Sequence, residues 1–338
     1  MLYFALMFSD KLIPQDIINE LQKATEAQLP LLKPAAETWQ PTDLLPDFAG
    51  KNWKDEVAEF QKEAAQIPDE ALACLVGNMI TEEALPSYQT WLNRHMEFRD
   101  ESGTDTSPWA KWTRAWSAEE NRHGDVLNRY LYLTGRVNMH SIEITIHNLI
   151  RNGFNLGSGN HVYKSIVYAS FQERATRVSH RNMGLLAHKF GDKKLGRISA
   201  LIAGDEARHE QAYQNLFKVC LECDPSGAME AMADMLLSKI VMPARLMDDG
   251  TGRDIFGDYS IVAQKLGIYT TRDYAELLLF LVETWKLDKL KNLSALASAA
   301  QEKICKTAEK YLRKSDSLME AIQSVQIQPF SWLTRPAQ

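Results

Sequence analysis

Apolar residues recur every three or four positions along most of the chain, and this spacing predicts helices. One such stripe runs through Leu195, Ile198, Ile202, Tyr213 and Leu216, as is typical of a helix with one face in a hydrophobic core. No run of alternating β-branched residues ends in an Asn-Gly or Asp-Gly turn, and the 12 prolines and 17 glycines lie mostly between the helical patterns. We therefore expect an all-α fold.

The pattern shows no abrupt change that would mark a domain boundary, so we expect a single domain over residues 1–338. Residues 1–50 combine a short predicted helix, about residues 15–27, with a proline-rich segment, and we expect them to form a cap packed on the helical body. The sequence DDGTGRDIFG at residues 248–257 is predicted to be a loop.

Composition and charge exclude several classes of protein. The 338 residues are 45% hydrophobic and 24% charged, with a net charge of −6, as in ordinary water-soluble globular proteins. The longest apolar stretches, residues 1–8 and 277–282, are far shorter than the about 20 residues of a membrane-spanning helix. The negative charge argues against nucleic-acid binding, which depends on clustered Lys and Arg. Four cysteines cannot form a disulfide framework, and we expect Cys220 and Cys223 to be ordinary residues near a helix end.

Ionisable residues stand at several positions where the stripes call for apolar side chains. Two of these interruptions are a Glu followed three positions later by a His. Each is preceded by another predicted helix that places a single glutamate on its apolar face. The order along the chain is Glu, Glu-x-x-His, Glu, Glu-x-x-His, formed by Glu82, Glu120, His123, Glu173, Glu206 and His209.

Metal binding is the simplest reason to bury such a set. A lone buried carboxylate costs several kcal/mol, and four near one another repel, so their burial demands cations. Residues three apart project from one face of a helix, so each Glu-x-x-His offers an oxygen and a nitrogen to the same ion. Two copies predict two divalent ions, and oxygen-rich ligation with one imidazole per metal favours iron or manganese. The other six histidines, including His95 and His180, lack an acidic residue three positions earlier and are expected to be structural or exposed.

Longer motifs surround these residues. They are ITEEALPSYQTWL from Ile80, WTRAWSAEENRHGDVLNRYLYLTGRV from Trp112, SFQERAT from Ser170, DEARHE from Asp205, and the later MPARLMDDG, VAQKLGIYT and PFSWL. Together they resemble the soluble acyl-carrier-protein desaturases of the stearoyl-ACP Δ9 type, over about residues 35–335. The resemblance implies a ferritin-like helical bundle, usually a homodimer, with two irons that use O₂ and two electrons to remove two hydrogens from an acyl chain.

The resemblance also implies roles for particular residues. The six residues of the pattern match the family's iron ligands, and in TEEALP the first glutamate is the ligand, so Glu83 is not one. Thr176 matches a threonine linked to oxygen activation. Asp205 matches a residue that hydrogen-bonds an iron-bound imidazole on the electron route, and Trp39 matches the tryptophan at the outer end of that route. These three are our remaining candidate catalytic residues.

The resemblance implies acyl carrier protein and ferredoxin as partners. Both are acidic, so the basic clusters at residues 189–197, 286–291 and 303–314 are either solvated helix faces or docking sites for these partners. The sequence lacks the Ser- and Arg-rich transit region of plastid proteins, and we expect a cytoplasmic location. The family's substrate tunnel passes the helix after the first ligand, and here that helix is expected to carry bulky Trp91 and His95. We expect a shorter tunnel, and hence an acyl group shorter than stearoyl.

Two other functions share parts of this pattern. A ribonucleotide reductase radical subunit has the same metal pattern, but its radical tyrosine lies one turn beyond the first His ligand, where this sequence has Leu127. A ferritin-like iron-binding protein without acyl turnover would need no long apolar tunnel, and its subunits are about half this length. Both are alternatives to the desaturase interpretation.

Overall fold

The computed structural model describes residues 13–237 and 242–334, and in this part of the chain the all-α prediction is confirmed. The described residues contain no strand, only an isolated bridge between Val137 and Leu333. The apolar stretch at residues 1–8 lies outside the described residues. The helices are α1 (Gln15–Gln28), α2 (Trp53–Ala64), α3 (Asp69–Glu83), α4 (Leu85–Leu92), α5 (Pro108–Thr134), α6 (Met139–Asn152), α7 (Val162–Phe190), α8 (Lys193–Cys223), α9 (Pro225–Leu237), α10 (Ile255–Lys265), α11 (Thr271–Thr284) and α12 (Ala295–Gln323).

Helices α3, α5, α7 and α8 form the central bundle, and the longest packed pair is α7 with α8. The turn between these two helices is made by Gly191, whose φ of 92° is strained for other residues, and by Asp192. Asp192 caps α8 by accepting a hydrogen bond from the Leu195 backbone N–H at 2.8 Å. Its other oxygen accepts from the Tyr130 hydroxyl on α5. One aspartate therefore fixes the α7–α8 hairpin against α5.

Among the residues that the structure describes, the buried apolar side chains form two clusters, and the bundle carries a polar layer between them. Along α5 the first cluster reaches Trp116 and the second begins at Val126. Along α8 the second cluster reaches Ile202 and the first resumes at Ala212. Both Glu-x-x-His pairs lie in these intervals. Hydrophobic packing on either side therefore holds the polar layer in place.

The described part of the N-terminal segment, from residue 13 onward, packs on the bundle. Helix α1 contacts α5 and α8, with Ile17, Ile18 and Leu21 buried. Three short 3₁₀ turns follow it between residues 29 and 43. The predicted helix at about residues 15–27 is confirmed to within one residue.

The loop predicted at residues 248–257 ends earlier in the structure than expected. Helix α10 begins at Ile255, because the Asp254 side chain accepts a hydrogen bond from the Gly257 backbone N–H at 2.9 Å and so caps the helix. The cysteine prediction fits the structure, since Cys220 is buried and Cys223 exposed at the end of α8, both without a disulfide. Among the described helices, none is long and apolar enough to cross a membrane.

Helix α10 approaches α3 very closely at Gly77. A Cβ at this position would lie 2.2 Å from the Tyr259 ring, so only glycine leaves room for that ring. The Tyr259 hydroxyl donates to Asn78 Oδ1 at 2.7 Å, and Asn78 Nδ2 donates to Ser179 Oγ on α7 at 3.2 Å. Tyr259 therefore ties α10 to two bundle helices one turn from Glu82.

We expect Gly77→Ala to lower the free energy of unfolding by about 1–3 kcal/mol, because the added methyl overpacks the contact with Tyr259. The matched control is Gly204→Ala on α8, where an added Cβ meets nothing within 4 Å. That substitution should raise stability by about 0.5–1 kcal/mol, because alanine favours helix. Denaturant unfolding of both variants measures the difference, and an equal effect at the two sites would contradict this packing.

Candidate metal centre

The structure brings all six residues of the repeated pattern together in the polar layer. Helices α3 and α7 contribute one glutamate each, and α5 and α8 contribute one Glu-x-x-His pair each. All six residues are buried, each at most 8% exposed: Glu82, Glu120, His123, Glu173, Glu206 and His209.

Their ligand atoms form two groups that share two members. The first group is Glu82, Glu120, His123 and Glu206, and the second is Glu120, Glu173, Glu206 and His209. Within each group the ligand atoms lie within 4.8 Å of one another. Glu120 and Glu206 thus belong to both. This sharing goes beyond the expectation that each Glu-x-x-His offers its oxygen and nitrogen to the same ion, because α5 and α8 contact each other and bring both glutamates together.

The spacing and hydrogen bonding of these atoms fit metal ligation. The Glu120 oxygens lie 2.8 Å from His209 Nδ1 and 3.2 Å from His123 Nδ1, and Glu206 Oε1 lies 3.3 Å from His123 Nδ1. Two ligands about 2.1 Å from one ion and at right angles are about 3 Å apart. These close pairs lack the alignment of hydrogen bonds, so Glu120 Oε1 and both Nδ1 atoms are buried without a hydrogen-bond partner, a costly state that a metal ion would relieve.

The electrostatics of the polar layer favour the binding of cations. Burial raises the pKa of Glu82 and of Glu173, and neighbouring carboxylates add to the effect. Burial alone would lower the pKa of His123, but the Glu120, Asp205 and Glu206 carboxylates together outweigh it and raise the pKa well above its usual value. Without metal, the site would therefore bind protons in place of cations.

Each imidazole is oriented by an acid from the other pair's helix. Asp205, which precedes Glu206 on α8, lies 3.3 Å from His123 Nε2 on α5. Glu119, which precedes Glu120 on α5, lies 3.0 Å from His209 Nε2 on α8. This crossed arrangement turns both Nδ1 atoms toward the shared carboxylates, as in known carboxylate–histidine–metal sites.

Two arginines neutralise the crossed acids. Arg208 donates to Glu119 Oε2 at 2.7 Å and to Asp205 Oδ1 at 2.5 Å, and Arg122 donates to Asp205 Oδ2 at 3.1 Å. The sequence interpretation missed Glu119 and both arginines. A signal was present, because residues 119–123 and 205–209 both read acid-Glu-x-Arg-His.

Hydrogen bonds connect Trp39, Asp205 and Thr176 to the centre. The Trp39 indole donates to Asp205 Oδ2 at 3.0 Å, and its ring stacks on His123 with centroids 6.1 Å apart. The Thr176 hydroxyl donates to Glu206 Oε2 at 3.0 Å. Trp39 is half-buried, so it connects the protein surface to the polar layer.

Neighbouring residues divide into those that join the centre and those that do not. Glu83 points elsewhere and accepts from Asn128 Nδ2 at 3.0 Å. His180, expected to be merely structural or exposed, lies 2.8 Å from Glu82 Oε1 and is buried. Sequence spacing could not show this contact, because His180 and Glu82 lie on different helices.

Two cavities lined by described residues meet at the centre. The outer cavity has a volume of about 280 Å³ and lies between the bundle and α10–α11, where Phe256 and Tyr274 contribute to its wall. The inner one, of about 60 Å³, is lined by Trp91, Phe154 and Tyr168 among others. Both cavities share a wall formed by Thr81, Glu82, Gln172, Thr176 and Pro243.

The prediction that His95 lies on the helix after Glu82 was wrong. Helix α4 ends at Leu92, so His95 follows the helix, and it lines neither cavity. It is fully buried, and burial lowers its pKa to about 4. Trp91 does face the inner cavity, and its indole donates to Ser158 Oγ at 3.4 Å.

The fold and this centre define a class: ferritin-like helical bundles whose core is built from carboxylates and Glu-x-x-His pairs able to hold metal. The fold matches the X-ray structure of DesA2 from Mycobacterium tuberculosis H37Rv, with a TM-score of 0.51 and 18% identity over 84% of this chain and 99% of that one.

Sequence comparisons narrow the class to a family. Residues 14–334 match the family model described as Fatty acid desaturase. The chain is 47% identical over 331 residues to stearoyl-[acyl-carrier-protein] 9-desaturase 5, chloroplastic, of Oryza sativa subsp. japonica, covering 97% of this chain and 85% of the relative. It is also 47% identical over 305 residues to acyl-[acyl-carrier-protein] 6-desaturase of Thunbergia alata, covering 90% and 79%. The chain belongs to the fatty acid desaturase family.

The crossed acids should make the metal-free protein sensitive to acid. Burial would raise the pKa of Glu119, but hydrogen bonds from His209 and Arg208 outweigh it and lower the pKa from 4.5 to about 2. A carboxylate with a lowered pKa contributes stability above its unfolded pKa and loses it as the pH falls toward the folded value. We expect Glu119→Gln to make the slope of unfolding free energy against pH less steep between pH 4.5 and 2.

Urea unfolding of the metal-free chain across this pH range measures the slope. The exposed Glu222→Gln on α8 is the matched control, and its slope should equal that of the unsubstituted chain. If the slope for Glu119→Gln were as steep as that of the control, Glu119 would contribute nothing to the pH dependence of the unfolding free energy.

Proposed function

We propose that this chain is an acyl-[acyl-carrier-protein] desaturase that forms a cis double bond in the acyl chain. The observation that carries the proposal is the meeting of two largely apolar cavities at a buried carboxylate–histidine centre. Relatives with this activity in their names align over 90% or more of the chain. The reaction converts a CH₂–CH₂ unit, O₂, two electrons and two protons into a CH=CH unit and two waters.

We propose that two irons bind at the centre. Glu120 and Glu206 would be shared between them, with one further glutamate and one imidazole for each ion, Glu82 with His123 and Glu173 with His209. Four carboxylates balance the charge of two divalent ions, and the oxygen-rich donor set with one imidazole each suits iron. When bound, the irons supply the oxidising chemistry with O₂ that an unactivated methylene requires and that no side chain provides.

The chain's own residues bind and orient the substrate and exclude water. The walls of both cavities are mainly apolar, so an acyl chain displaces water from them and gains about 0.8 kcal/mol per buried methylene. Thr176 stands on the shared wall with its hydroxyl on Glu206. We propose that this hydroxyl holds a proton beside the centre, where O₂ reduction consumes protons.

We propose that electrons enter through Trp39, on the side of the centre that faces away from the cavities. Its indole contacts Asp205, which in turn orients His123, so a half-buried aromatic ring connects with a proposed metal ligand through two short contacts. Ferredoxin is the proposed donor, and acyl carrier protein is the proposed carrier of the substrate. A homodimer remains our expectation for the assembly.

The two alternative functions are less well supported. A ribonucleotide reductase radical subunit or a ferritin-like iron-binding protein would not explain the match to desaturases along residues 14–334. Neither alternative requires two adjoining apolar cavities at the centre.

The direct test supplies iron-loaded protein with reduced ferredoxin, O₂ and palmitoyl-ACP, and measures the product by mass spectrometry. We expect a product two mass units lighter, and two irons per chain by elemental analysis. Glu82→Gln should lower iron affinity and turnover at least about 100-fold, because it removes a proposed ligand. The adjacent Glu83→Gln is the control and should change neither. Iron without an olefin would support the ferritin-like alternative, and a tyrosyl radical signal would support the reductase.

Trp91 should limit the length of the acyl chain. It lines the small inner cavity and makes edge contacts with Phe154 and Tyr168. We expect the unsubstituted enzyme to prefer myristoyl- or palmitoyl-ACP over stearoyl-ACP. Trp91→Met should shift the preference toward longer chains, by up to about fourfold in kcat/KM per methylene admitted.

The matched control is Trp285→Met, a buried tryptophan that lines neither cavity. It should lower stability without altering the order of substrates. A clear stearoyl preference in the unsubstituted enzyme, or the same shift in both variants, would contradict this assignment.

A further inference from the structure

The Glu82 carboxylate divides its two oxygens between the centre and a histidine. Glu82 Oε2 faces the centre, 3.8 Å from His123 Nδ1. Glu82 Oε1 lies 2.8 Å from His180 Nε2, which comes from α7. The side chain thus cannot turn without losing a buried contact.

The Glu173 carboxylate is divided in the same way in the other half. Glu173 Oε2 lies 3.6 Å from His209 Nδ1, and Glu173 Oε1 accepts from the Trp116 indole at 3.1 Å. Trp116 lies on α5 and Glu173 on α7. In both halves, then, a ring nitrogen from a neighbouring helix contacts the oxygen that faces away from the centre.

The surroundings of His180 favour a donor role. The ring is 1% exposed, lies one turn beyond Thr176 and contributes to the wall of the outer cavity. Its Nδ1 has no hydrogen-bond partner among the described residues, so Glu82 is its hydrogen-bonding contact. When Glu82 is ionised, Nε2 must carry the proton and donate it to the carboxylate.

We propose that His180 is a positioning residue for the Glu82 half of the centre, and that Trp116 is its counterpart for the Glu173 half. The terminal torsion of a glutamate is broad, so a carboxylate without a second contact samples many orientations. A donor on the outer oxygen selects the orientation that presents the inner oxygen to metal. Partners of this kind are worth about 10–100-fold in metal affinity. This inference rests on the metal binding proposed above.

The experiment titrates the full chain, stripped of metal, with Co²⁺ and follows calorimetric heat and visible absorption, without any assay of turnover. The unsubstituted chain should bind two ions. His180→Phe keeps a ring without a donor, and we expect one of the two ions to bind about 10–100-fold more weakly. His180→Gln restores an N–H donor and should recover most of that loss.

Trp116→Phe is the matched variant in the other half. It should also weaken one ion, and the double variant with His180→Phe should weaken both. Thermal unfolding of each metal-free variant separates these effects from a loss of fold, and His180→Leu replaces His180→Phe if the phenylalanine does not fit.

Two results would overturn the positioning role: two ions bound to His180→Phe as tightly as to the unsubstituted chain, or no recovery in His180→Gln with unchanged thermal unfolding. A failure of the unsubstituted chain to bind Co²⁺ or iron would instead overturn the proposed metal function itself. The two failures are therefore distinguishable.

Discussion

The burial of four carboxylates and two imidazoles in one layer of the bundle is the constraint on which the structure depends. Hydrophobic clusters on either side hold the helices at fixed separations, so the ionisable groups cannot move apart to relieve their repulsion. Around this layer stand further acids, arginines and ring nitrogens that contact its members. Each of these contacts offsets part of the cost of burying a carboxylate or an imidazole.

Much of the fold and the six residues of the repeated pattern could be predicted from the sequence, but the contacts that surround those residues could not. Helical periodicity identified the long helices, and polar residues at core positions identified all six members of the pattern. The contacts of Trp39 with Asp205 and of His180 with Glu82 could not be derived from spacing, because they join residues 166 and 98 positions apart. The end of the predicted loop was wrong because a single cap at Asp254 decides where the helix begins.

The two halves of the centre resemble each other in their ligand pattern and differ in their surroundings. Trp39 stacks on the imidazole of the first half, whereas Trp116 makes an edge contact with that of the second. One turn beyond each histidine stand Leu127 and Tyr213, and only the tyrosine lines the inner cavity. The repeated pattern thus makes the ligand positions nearly symmetric, but the neighbouring residues are not. Half-buried Trp39 connects the first half with the protein surface, and Tyr213 lines the inner cavity beside the second half.

The crossed acids have a consequence for how such a protein can evolve. Because Asp205 serves His123 and Glu119 serves His209, a substitution in either five-residue segment disturbs an imidazole that belongs to its twin. The two segments are 82 to 90 positions apart along these contacts, yet each supplies the acid that orients the other's imidazole. We therefore expect amino-acid replacements on α5 and α8 to be correlated among related proteins.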